Sequence, residues 1–109
     1  MKVNGTNLAM TRGDTDSIVV SCPDRLFTEG DELIFTVKKS ALTANILIQK
    51  KVTQFDEGKA VFEILPADTQ KMYSGAYKYD IQLTTADGTV TTIIKPSLFT
   101  LEGEVTWNE

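Results

Sequence analysis

Three kinds of residue in this chain have types that could do chemistry: a lone cysteine, a set of aspartates near turns, and an Arg-Gly-Asp tripeptide. Cys22 closes an alternation with Ile18 and Val20, so its thiol reads as a buried structural group and not a nucleophile; one cysteine also forms no intrachain disulfide. The chain has no histidine, which removes the commonest general base, the usual partner of a Ser or Cys nucleophile and the commonest zinc ligand. No phosphate-cradling loop and no dinucleotide fingerprint can be found. The residues therefore predict a protein that is not an enzyme and uses no cofactor.

Asp14, Asp16 and Asp31 would bind calcium if they gathered at one end of the fold, since calcium takes oxygen ligands from loops. Their spacing is not that of an EF-hand loop, and aspartates in turns commonly bond their own backbone, which is the reading we prefer. Arg12-Gly13-Asp14 spells the tripeptide that integrins recognise; a glycine between polar residues just before a strand is also an ordinary turn. Trp107, close to the end of the sequence, either packs back over its own domain or anchors a neighbouring subunit. Ile93, Leu47 and Val61 fall on positions that point away from the assigned core and are the other candidates for a contact face.

The elements that would position these residues are β-strands. With 109 residues, 41% of them apolar and 24% charged, the chain suits one globular domain, 1–109, with an ordered core over about 8–106. Net charge is −4 and the lysines cluster no further than Lys38-Lys39 and Lys50-Lys51, which argues against nucleic acid as a partner. No apolar run is long enough to span a bilayer and the first residues lack the apolar core of a secretory signal, so no membrane association and cytoplasmic synthesis are expected.

Leu33, Phe35 and Val37 alternate with Ile34, Thr36 and Lys38; Ile46, Ile48 and Val52 with Leu47, Gln49 and Lys51; Ala60, Phe62 and Ile64 with Val61, Glu63 and Leu65. Each run is a half-buried strand. Tyr77, Tyr79, Ile81 and Leu83 form the cleanest alternation, and Ala86-Asp87-Gly88 turns the chain into a Thr- and Ile-rich partner over 89–95. Pro96 marks an edge, a bulge or a crossing between sheets; the segment 97–105 is either a further strand or the continuation of the previous one. Pro66 suits the first position of a helix and Asp68 its first turn, which predicts one short helix near residues 66–72, with Gly75 at positive φ where the chain leaves it.

Six or seven short strands with turns every 8 to 12 residues predict an all-β antiparallel sandwich. The segment Ser74-Gly75-Ala76-Tyr77-Lys78-Tyr79 resembles the immunoglobulin-type corner, in which a tyrosine hydroxyl bonds back to upstream backbone. Tyr77 would be the corner tyrosine and Tyr79 would take the place of the second inter-sheet cysteine. With no cysteine pair and no tryptophan on the third strand, the domain departs from the antibody type. The expected fold is thus an immunoglobulin-like β-sandwich of about seven strands with one short helix.

Arg12-Gly13-Asp14-Thr15, the run from Gly30 to Val37, the Pro66 to Leu83 corner, and Asp87-Gly88-Thr89-Val90-Thr91-Thr92 followed by Phe99 and Glu104-Val105-Thr106 together resemble small immunoglobulin-like structural proteins of bacteriophages and prophages. They are similar to the N-terminal domain of baseplate upper proteins. The resemblance covers about 8–106 and implies a virion component made in the host cytoplasm, a tail, baseplate or capsid adaptor or decoration protein that contacts other virion proteins or itself. The long helical and receptor-binding region of full baseplate proteins is not in this sequence, so a stand-alone accessory protein fits better. A carbohydrate-binding or cell-surface adhesion module on the same scaffold is the alternative.

Overall fold

The computed structural model describes residues 1–105; Trp107, read above as an edge or interface residue, lies outside the described residues. Eight strands and one helical turn follow in the order β1 (Lys2–Asn4), β2 (Asn7–Thr11), β3 (Asp16–Val20), β4 (Glu32–Lys38), β5 (Ile46–Val52), β6 (Ala60–Ile64), α1 (Pro66–Thr69), β7 (Gly75–Thr84) and β8 (Val90–Glu102). They form a six-stranded sheet, β1-β2-β8-β7-β4-β5, and a two-stranded sheet, β3-β6. The fold is the expected all-β sandwich.

The alternations set the faces. Leu33, Phe35, Val37, Tyr77, Tyr79, Ile81 and Leu83 from the large sheet meet Ile18, Val20, Ala60, Phe62 and Ile64 from the small one in a single buried core. Phe35 lies at its centre, with ring centroids 5.7 Å from Phe62, 5.5 Å from Tyr79 and 6.0 Å from Phe99. Tilted and edge-on aromatic contacts of this kind add to the burial term. Phe62 comes from the opposite sheet, so the cluster is what joins the two layers.

Four expectations need correction. The sandwich is not purely antiparallel: β2 runs parallel to β8, with Leu8 beside Phe99 and Met10 beside Leu101. A parallel pair needs a long crossover, here the whole of β3 to β7, and no local pattern encodes it. β1 and β2 also lie outside the predicted strands, although Asn4-Gly5 is a hairpin signal; Gly5 takes φ +62 at the first position of the two-residue turn.

The helix is a single turn, Pro66–Thr69, and does not reach Met72. The chain must bend there to bury Met72 in the core, and the carbonyls of Gln70 and Met72 accept from the Arg12 guanidinium instead of continuing a helix.

Ile93 and Ile46 do not sit on the predicted faces, because bulges reset the two-residue period. On β8, Lys95 and Pro96 together oppose the single residue Asp80, and a second irregularity follows at Ile93. Ile93 and Ile94 are consequently both half-buried against the core, so Ile93 is not an outward contact residue. Pro96 is thus a bulge residue within one continuous strand. On β5, Val37 pairs with Ile48 but Lys38 pairs with Ile46, which turns Ile46 to the outer face beside Leu47, the two 47% and 36% exposed.

The β7–β8 hairpin closes as the Asp-Gly signal predicts, with Gly88 at φ +88. Asp87 Oδ1 accepts from the Thr85 hydroxyl and, at 3.0 Å, from Thr89 N–H. These bonds, the Thr85 hydroxyl first, hold the Asp87 carboxyl down to about 2. A depressed carboxylate favours the folded state above its unfolded pKa of about 4, and that contribution is lost as pH falls through about 2. Carboxyl-carbon NMR titration should find Asp87 titrating near 2, and Thr85→Ala should move it back toward the ordinary range. An Asp87 midpoint near 4 in the unmodified chain would refute the assignment.

Candidate functional site

The corner between β6 and β7 gathers several polar side chains with mutual partners. Pro66 starts the turn, and Asp68 Oδ2 accepts from Leu65 N–H at 2.7 Å and pairs with Lys50 Nζ at 2.8 Å. The bond to Leu65 satisfies one of the donors that a helix start leaves open. Gly75 follows at φ +144, a conformation that side chains rarely adopt. The Tyr77 hydroxyl then donates to the Tyr73 carbonyl at 2.6 Å, which is the tyrosine corner read from the sequence. Tyr77→Phe removes that bond and keeps the ring, so it should cost about 1 to 2 kcal/mol in urea unfolding; an unchanged midpoint would mean that the bond has no weight.

Tyr79 occupies the place expected for it, buried against Phe35 and Phe99. Its hydroxyl donates to the Thr6 carbonyl, tying the β1–β2 turn to the core, and burial pushes that hydroxyl above its ordinary pKa. The strand reading placed Tyr79 but missed this tie, because it had no β1–β2 turn to offer as acceptor.

Arg12-Gly13-Asp14 is part of the same corner. Arg12 is 6% exposed; its Nε meets Glu104 Oε1 at 3.1 Å, and its Nη1 donates to the carbonyls of Gln70 and Met72. Gly13 N–H donates to the buried Thr69 hydroxyl at 2.8 Å. An arginine built into the fold in this way cannot be offered to an integrin, so the adhesion reading of the tripeptide is replaced by a structural one. Leu8 and Met10, buried four and two residues before Arg12, are the period-2 signal that would have placed it inward.

Two of the three aspartates, Asp16 and Asp31, have separate local partners. Asp16 pairs with the Met1 ammonium at 2.6 Å, a bond that holds its carboxyl below the ordinary value. Asp31 is buried and accepts from the Arg25 guanidinium and, at 3.0 Å, from Thr28 N–H. No cluster of three or more metal-binding side chains occurs among the described residues. Cys22 is half-buried and packs against the core.

Two outer faces remain for contact with other molecules. On the small sheet, Val19 and Val61 lie directly opposite each other across β3 and β6, 61% and 37% exposed. Neither strand pairs with a third among the described residues. On the large sheet, an open groove of about 250 Å³ is lined by Thr36, Lys38, Ile46, Gln49, Lys78 and Asp80, among others. Gln49 Nε2 donates to Thr36 Oγ1 at 3.2 Å. Burial raises the Asp80 carboxyl pKa, with the Lys38 charge opposing the shift. Leu47 and Val61 thus do point outward, one on each sheet. Val19, Lys38 and Lys78 were missed: the alternation puts them outside, but only strand register shows which of them are neighbours.

Core, corner and outer faces define an all-β sandwich domain of two sheets. No family model matches the chain, and neither the curated proteins nor the solved structures contain a match to it.

Proposed function

We propose that this chain is a non-enzymatic structural or accessory component of a bacteriophage or prophage virion, an adaptor that works by protein–protein contact. The sequence resemblance supplies the virion setting. The observation that carries the contact role is the small sheet, whose two strands each leave one edge unpaired among the described residues while Val19 and Val61 stand side by side on its outer face. Unpaired strand edges are templates for another chain, and proteins that do not use them usually blunt them. A standard interface takes about 800 Å² from each partner, an area that one face of a domain this size can provide.

The test is mass spectrometry of virions purified after induction of the encoding strain. The polypeptide should be present in stoichiometric copies, and its absence from intact particles would overturn the reading. The carbohydrate-binding alternative has less support, because sugar sites use exposed aromatic platforms and Tyr73, at 89%, is the only strongly exposed aromatic among the described residues. Clear hits on a glycan array would reverse that order.

A further inference from the structure

The outer face of the large sheet carries two like charges side by side. Lys38 on β4 and Lys78 on β7 are paired directly opposite each other, and both line the groove. Like charges in that position repel. Neither lysine takes part in an ion pair within 4 Å among the described residues, whereas Lys2, Lys50 and Lys51 all do; Asp80, in the same groove, interacts with the Lys38 charge and leaves the trio with one net positive charge. The adjacent Lys39 is engaged differently, donating to the Ala76 carbonyl with its ammonium over the Tyr77 ring.

Register extends the pair into a row. Lys78 is opposite Leu98 on β8, and Lys38 is opposite Ile46 on β5, so four strands present apolar, cationic, cationic and apolar side chains in one line. Leu98 and Ile46 are 37% and 47% exposed. Three interstrand steps of about 4.8 Å make the row about 14 Å long. Four residues of extended chain also span about 14 Å.

We infer that this row is a docking site for an extended segment of a partner protein with the pattern apolar-x-acidic-x-apolar. The carboxylate would sit between Lys38 and Lys78, and the two apolar side chains would cover Leu98 and Ile46. The inference rests on the adaptor reading for the occupant being a polypeptide, and it names the partner chemistry of one contact face. Charge complementarity fixes the central residue, and the matched spans fix its neighbours.

The probe is a capped pentapeptide, leucine-serine-glutamate-serine-leucine, titrated into the isotope-labelled full chain and followed by amide NMR. Saturable shifts are expected at Lys38, Lys78, Ile46 and Leu98 and their neighbours, weakening as salt rises. The analogue with glutamine at the centre should bind at least about tenfold more weakly, a gap of one acid-to-amide contact. Lys78→Glu should abolish binding while raising Tm by about 2 to 4 °C, because it turns a repelling pair into an attracting one. A purely structural role for Lys78 predicts a lower Tm.

No shifts on this face, equal binding of the glutamine analogue, or binding that survives Lys78→Glu would each overturn the proposal. Free glutarate binding as tightly as the peptide would overturn the polypeptide occupant in favour of a small anion. Absence of the chain from virions, with the peptide results intact, would sink the virion setting alone.

Discussion

Arg12→Ala is expected to destabilise the domain by about 3 to 5 kcal/mol, the range for removing one partner of a buried ion pair. The change deprives Glu104 of a guanidinium 3.1 Å away and leaves the carbonyls of Gln70 and Met72, at the end of the helical turn, without that donor. Small domains are stable by only about 5 to 15 kcal/mol in total, so the variant should unfold at a markedly lower urea midpoint. Arg12→Lys should recover only part of the loss, since an ammonium cannot reach Glu104 and two carbonyls in the fixed fork that a guanidinium provides. A midpoint within experimental error of the unmodified protein would show that Arg12 does not hold the corner. The same result would reopen the question of why an Arg-Gly-Asp tripeptide stands there.

Phe35→Ala should cost about 3 to 5 kcal/mol, from lost burial and from the cavity left behind. Phe35 is fully buried and contacts Phe62, Tyr79 and Phe99 from three other strands, so no single neighbour can move in to fill the space. Phe62→Ala should be of similar size, and the double variant should cost less than the sum because the two rings share a contact. Strict additivity in urea unfolding would mean that the two sheets are not joined through this pair.

The strands with a strict period of two were legible because a half-buried strand must alternate to put its apolar residues on one face. That holds for the inward sets of β3, β4, β6 and β7, and for the corner, whose Pro66, Asp68, Gly75 and Tyr77 act within a dozen residues of one another. Wherever a bulge adds a residue, as at Ile93, Pro96 and Leu47, the period shifts, and Ile93 and Ile46 lose their predicted faces. The shift depends on which residue of the neighbouring strand is opposite, and that neighbour is remote in sequence.

The same distinction separates the parts of the candidate site. Alternation by itself determined an all-β sandwich, the inward sets of β3, β4, β6 and β7 and the outward direction of Lys38, Lys78 and Val61, and the resemblance to an immunoglobulin-type corner placed Tyr77. Only the tertiary structure decided that Arg12 is buried against Glu104, that β2 runs parallel to β8, and that Lys38, Lys78, Leu98 and Ile46 share one row. Period-2 patterning tells which side of a strand a residue takes, because that is set by its own backbone. Which residues meet across strands is set by register and by long-range closure, and those are properties of the assembled sheet.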